Sequence, residues 1–158
     1  MPPRPIFLAN EQATAALGAS LAPVLSAPLV VYLDGDLGAG KTTFTRGLLR
    51  GLGHCGSVKS PTYAIVESYS LPEFPLHHFD LYRFTIPEEW EDAGLDELAD
   101  GSVCLIEWPH KGEGFIPQAD LSLELVRRAD GREAHLNAHT PNGLEHLEKW
   151  YKNLPADI

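Results

Sequence analysis

The sequence predicts an α/β fold: a mixed sheet, parallel at its centre with antiparallel strands late in the chain, flanked by helices. Three observations carry this. Leu29-Val-Val-Tyr-Leu33 and Val103-Cys-Leu-Ile106 are short, continuous apolar runs, as parallel strands buried on both faces should be. Helical apolar spacing occupies much of the chain between them. Near the end, Leu121-Ser-Leu-Glu-Leu-Val126 alternates, Asp130-Gly131 supplies a turn, and 134–138 returns, which predicts an antiparallel hairpin.

Composition narrows the class. The 158 residues suit one domain, 1–158, able to bury a core. With 44% hydrophobic and 22% charged residues the chain has a soluble, globular composition. Met1-Pro-Pro-Arg-Pro-Ile-Phe-Leu8 carries no apolar signal region, and the longest apolar stretches are strand-length, so no membrane span is expected. Cys55 and Cys104 are expected to be free thiols of a cytoplasmic protein. A formal net charge of −10 argues against autonomous binding to nucleic acid, which needs a basic surface. Lys41, Arg46, Arg50, Lys59 and Arg83 nevertheless cluster around one region, whereas the segment from Glu88 to Asp100 is acidic. That acidic segment faces either a partner or solvent.

Taken in order, Asn10 caps a helix from Glu11 to about Ala22, with Ala13, Leu17, Leu21 and Val24 as its buried stripe. Glu11 in the first turn favours the helix dipole. Pro23 and Pro28 mark the helix end and the entry to strand 29–33. Phe44, Leu48, Leu49 and Leu52 form the inner face of the next helix, and Gly53 stops it. Ser60 precedes a proline and is extended. The run 64–69 alternates like a strand, 71–75 turns, and 76–80 is its partner. Pro87 to Leu98 predicts a helix with Trp90, Leu95 and Leu98 inward. Strand 103–106 runs into Glu107-Trp-Pro109. Thr140-Pro141 then starts a last helix, packed by Leu144, Leu147 and Tyr151.

The chemistry begins between the first strand and its helix. Gly35-Asp-Leu-Gly-Ala-Gly-Lys-Thr42 is a glycine, four residues, then Gly-Lys-Thr. This is the P-loop pattern and makes the fold P-loop NTPase-like. Its glycines let backbone N–H groups turn inward around phosphate oxygens, at the positive end of the following helix. Lys41 would place its charge on the β- and γ-phosphates, and Thr42 would give its hydroxyl to Mg²⁺. Such a site needs a second acid at a strand end. Glu107, after four apolar residues, matches best; Asp80 is the other, near either the metal or the attacking water. Thr62 sits in a proline-braced loop and either senses the γ-phosphate or makes a local turn. Trp108 stacks on a base or a partner, or fills core. Arg83 is a phosphate clamp or a structural pair of the acidic block. His77 and His78 are adjacent and face opposite sides of a strand, and the cysteines lack zinc spacing, so no structural metal is expected.

These residues resemble those of the TsaE (YjeE) family, small bacterial P-loop ATPases needed to make threonylcarbamoyladenosine in tRNA. The likeness is carried by Asn10-Glu-Gln-Ala-Thr14, Gly35–Thr43, Val58-Lys-Ser-Pro-Thr-Tyr63, His78-Phe-Asp-Leu-Tyr-Arg83, Glu107-Trp-Pro109 and Gly131-Arg-Glu133. The acidic segment and the C-terminal end match loosely, and no roles are transferred there. The resemblance implies that Gly38, Ala39, Gly40, Lys41, Thr42 and Thr43 hold the phosphates of ATP, and that Thr42 and Glu107 hold Mg²⁺. It implies that Asp80 and Thr62 belong to switch-like segments around the γ-phosphate, and it puts Arg132 and Glu11 at the base or ribose. It also implies a partner, the TsaB–TsaD heterodimer, with tRNA contacted mainly through that complex. Hydrolysis would be weak alone and would drive the partner's cycle.

Three other readings compete. A small-molecule kinase would use the same loop, but kinases of this kind commonly close an Arg-rich lid, and 84–102 contains no Arg or Lys. A GTPase would carry Asn-Lys-x-Asp, which is absent. A non-catalytic, nucleotide-dependent binding module would need the same residues.

Overall fold

A computed structural model describes residues 4–36 and 38–158. Leu37, inside the predicted P-loop, and the first three residues lie outside the described residues. In chain order the elements are β1 (Ile6–Leu8), α1 (Glu11–Leu21), β2 (Leu29–Asp34), α2 (Lys41–Gly51), β3 (Val66–Ser70), β4 (Pro75–Asp80), α3 (Glu89–Asp92), α4 (Leu95–Ala99), β5 (Val103–Glu107), β6 (Leu121–Arg128), β7 (Gly131–Ala138) and α5 (Pro141–Lys152). Short 3₁₀ turns follow α1 at Ala22–Val24 and β5 at Pro109–Gly112.

The strands form one sheet in the order β1-β7-β6-β2-β5-β4-β3. The centre is parallel: β2 pairs with β5 on one side (Leu29 opposite Val103) and with β6 on the other (Val31 opposite Leu121), and β4 runs parallel to β5. The outer pairs β1/β7, β7/β6 and β3/β4 are antiparallel. The mixed sheet expected from the sequence is therefore the one observed.

The apolar runs are continuous because both faces of the central sheet are covered. Val103 and Leu105 of β5 join a core with Leu17 and Leu21 of α1, Phe44, Leu48 and Leu49 of α2, and Leu147 and Trp150 of α5. Cys104 and Ile106 point the other way, into a smaller core with Phe79, Trp90, Leu95 and Ala99. Helices α1 and α2 approach so closely that a side chain at Gly47 would overlap the Ala15 carbonyl, and one at Gly18 the Phe44 carbonyl. Asn10 caps α1 by accepting from the Ala13 N–H at 2.9 Å, and Thr140 caps α5 by accepting from Gly143 at 3.0 Å.

Several expectations are corrected. The predicted helix 87–98 is two short helices, because Gly94 takes a left-handed conformation with φ 70° between them. As a result Leu98 is 38% exposed rather than inward, while Trp90 and Leu95 are buried. Strand β3 begins at Val66, not 64, because Ile65 is left-handed at φ 71° and cannot continue a strand. Leu144 is half exposed, and Trp150 takes the buried position expected of it. Strand β1 was not foreseen. No described helix is long and apolar enough to cross a membrane.

Candidate functional site

The P-loop links the C-terminal end of β2 to the start of α2. Gly35, Gly38 and Gly40 all have positive φ, at 147°, 79° and 108°, which a residue with a Cβ rarely adopts. Gly40 precedes Lys41 at the helix start and offers no side-chain cap. The first N–H groups of α2 are thus left for an anion, at the positive end of an eleven-residue helix.

A cavity of about 300 Å³ opens there, at the C-terminal ends of the parallel strands. It is lined by Glu11, Gly38, Ala39, Gly40, Lys41, Thr42, Thr43, Thr62, Asp80, Glu107 and Arg132. Residues from six separate parts of the sequence therefore meet at one place. Trp108 is not among the lining residues. The backbone turns left-handed there (φ 55°), and the half-buried indole packs over the Lys41 ammonium at 4.5 Å and against Tyr82. Arg83 also lies elsewhere, stacked on the exposed ring of Tyr63 at 4.1 Å.

Lys41 and Glu107 are the buried charged pair of the site, 6% and 4% exposed. Lys41 Nζ donates to the Gly35 carbonyl at 2.6 Å and stands 3.5 Å from Glu107 Oε1. The other Glu107 oxygen, Oε2, lies 2.6 Å from His78 Nε2. Burial pushes the Glu107 carboxyl up, but the hydrogen bond and charge of His78, with Lys41, outweigh it and hold it below the usual carboxylate range. Asp34, at the end of β2, is raised instead, by burial and then by Glu124 opposite it on β6.

Asp80 ends β4 directly opposite Glu107 in the sheet register. Its Oδ1 accepts from the Tyr82 N–H at 2.9 Å and its Oδ2 from the Thr62 hydroxyl at 3.1 Å. Ser60 Oγ is 2.7 Å from Thr62 Oγ1. The loop 60–65 is further tied to β4 by the Asp80 N–H donating to the Ile65 carbonyl.

Arg132 reaches from β7 to the P-loop. Its Nε donates to the Ala39 carbonyl and its Nη2 to the Gly38 carbonyl, both at 3.0 Å. Arg127 Nη2 adds a longer bond to Gly38 O at 3.3 Å. With two successive carbonyls drawn outward, the loop's peptides are biased to present N–H groups to the cavity. A side-chain hydroxyl and a carboxylate kept ionised, Thr42 and Glu107, are hard oxygen donors lining the same space, and this donor set fits Mg²⁺.

Sequence reasoning missed His78, Ser60 and Arg127 as members of the site. His78 was findable: it lies two residues before Asp80, hence on the same strand face. Arg127 carried no signal, because its reach depends on how the hairpin folds over the loop.

The family model "Threonylcarbamoyl adenosine biosynthesis protein TsaE" matches residues 8–134. The chain is similar to the tRNA threonylcarbamoyladenosine biosynthesis protein TsaE of Haemophilus influenzae, 51% identical over 73% of each chain. It is similar to the protein of the same description in Bacillus subtilis, 43% identical over 77% of this chain and 76% of that one. Among solved structures, that of Bacillus subtilis YdiB superposes with a TM-score of 0.79 at 34% identity, covering 96% of this chain and 97% of the other.

Proposed function

This chain belongs to the TsaE family of threonylcarbamoyl adenosine biosynthesis proteins, and from that premise we propose that it binds and hydrolyses Mg-ATP to drive a TsaB–TsaD transferase complex in modifying tRNA. The observation that carries the ATPase reading is the convergence of the P-loop, Thr42, Asp80 and Glu107 on one cavity at the strand ends. Backbone N–H groups of the loop and of the first turn of α2 hold the phosphates, and Lys41 supplies positive charge to the β- and γ-phosphates. Thr42 and Glu107 hold Mg²⁺, which when bound neutralises charge developing on the phosphate oxygens. Each Asp80 oxygen already accepts one bond but keeps a further lone pair, so Asp80 can orient an attacking water. Thr62 makes that orientation depend on the position of loop 60–65. Glu11 and Arg132 flank the base and ribose.

The net charge of −10 supports a protein partner rather than direct capture of tRNA, and the chain acts in the cytoplasm on this reading. Release of inorganic phosphate from ATP with no acceptor present tests the chemistry; a kinase would be nearly silent. Pull-down of TsaB–TsaD with and without ATP tests the partner, and capture indifferent to nucleotide would count against a driven cycle.

A further inference from the structure

Beyond helping to keep the Glu107 carboxyl ionised, His78 has no role in the chemistry described so far. It lies on β4 on the same face as Asp80, opposite Leu105 of β5, two rungs below Glu107. Its imidazole is fully buried, and Nδ1 has no hydrogen-bond partner. Among the described residues its side chain makes one hydrogen bond, from Nε2 to Glu107 Oε2 at 2.6 Å. An apolar side chain could fill this space without burying an unsatisfied nitrogen. What an apolar side chain could not do is hold one oxygen of a buried carboxylate while the other, Oε1, stays turned toward Lys41.

We infer that His78 is a positioning residue that fixes Glu107 in the orientation needed to hold the metal. This rests on the proposed reading of Glu107 as a metal-binding carboxylate. A carboxylate tethered at one oxygen loses less rotational freedom on binding a cation, and partners of this kind are typically worth about 10–100-fold in metal affinity. A purely structural histidine, joining β4 to β5, would affect folding but would not act selectively on Mg²⁺.

The experiment titrates a fluorescent ATP analogue into wild type, His78→Met, His78→Gln and Glu107→Gln, in EDTA and across a Mg²⁺ series. Methionine fills volume without a donor; glutamine places an amide N–H close to the position of Nε2. We expect His78→Met to raise the Mg²⁺ requirement about 10–100-fold, with affinity in EDTA unchanged, and His78→Gln to recover most of that loss. Equal Mg²⁺ requirements for the Met and Gln variants would overturn the inference, as would equal weakening with and without metal. If Glu107→Gln keeps the wild-type requirement, the metal reading of Glu107 fails and this inference falls with it. If Glu107→Gln raises the requirement and His78→Met does not, this inference alone fails. Should His78→Met not fold, the wild-type protein decides. The imidazole ¹⁵N resonance of His78 should then shift when Mg²⁺ joins the nucleotide complex, while that of the buried His146 stays in place; no shift at His78 refutes the role.

Discussion

Replacing Lys41 by methionine should destabilise the protein even without nucleotide. In the structure the ammonium donates to Gly35 O at 2.6 Å, and a hydrogen bond with one charged partner contributes about 1.5–3 kcal/mol. The ammonium also offsets the Glu107 charge from 3.5 Å, in a pair almost wholly out of water. Removing one member of a buried pair costs about 3–5 kcal/mol in general. Here the loss is smaller, because the separation is long and His78 still holds the other carboxylate oxygen. Methionine replaces most of the apolar stem, so the cavity contribution is slight. Together these give a loss of about 2–3 kcal/mol, or a fall in Tm of about 4–12 °C for a chain of this size. Adding Glu107→Gln should return part of that loss, with a coupling of about 0.5–3 kcal/mol, because the amide no longer needs a cation. Thermal unfolding of wild type, both single variants and the double variant measures this. The same scans with Mg-ATP should show a rise in Tm for wild type and none for Lys41→Met. Strictly additive losses, or a Lys41→Met protein as stable as wild type, would refute a stabilising coupling between Lys41 and Glu107.

Three further outcomes are expected. Glu107→Ala should depress Mg²⁺-dependent phosphate release by about 10²-fold or more while nucleotide binding in EDTA changes little; normal hydrolysis would remove Glu107 from the metal. Thr62→Val keeps the shape but loses the bond to Asp80 Oδ2, and should lower the rate of phosphate release without weakening ATP binding, as read by single-turnover kinetics. Burial holds the His77 imidazole below its ordinary pKa of 6.5, so the unfolded chain takes up a proton that the folded one resists. That stability is complete above pH 6.5 and is lost as pH falls from there toward the depressed folded value. The urea midpoint should therefore drop less between about pH 7.5 and about pH 5.5 in His77→Gln than in wild type.

What was legible in the sequence depended on whether a residue's role is local. Gly38, Gly40, Lys41 and Thr42 are positioned by a loop and a helix start that neighbouring residues dictate, and Glu107 by the end of an apolar strand. Asp80 and Thr62 needed the β3–β4 pairing as well, which the alternation suggested. Trp108 was harder: the left-handed backbone that swings its ring onto Lys41 has no signature in a non-glycine residue. Gly94 appeared as one glycine in a helical pattern, and only its φ shows that the helix breaks there. Strand β1 was hidden by its brevity, three residues with an exposed Phe7 at the centre, and by its dependence on β7 for every ladder bond. Likewise, Arg127 and Arg132 approach the loop only because β6 and β7 are long enough to carry them there.

The pairing of β2 has a consequence in time. The strand that launches the P-loop finds no neighbour nearby in the chain: Leu29 waits for Val103, and Val31 for Leu121. Chains dominated by such distant pairings fold slowly, since loop closure must precede the contacts that reward it. During synthesis the Gly-Lys-Thr segment therefore leaves the ribosome long before the strands that flank β2, and Arg132, which anchors it through Gly38 and Ala39, is made later still. Nucleotide binding is thus a late property of the growing chain, and retention on immobilised ATP would report that the whole sheet, rather than the loop alone, has formed.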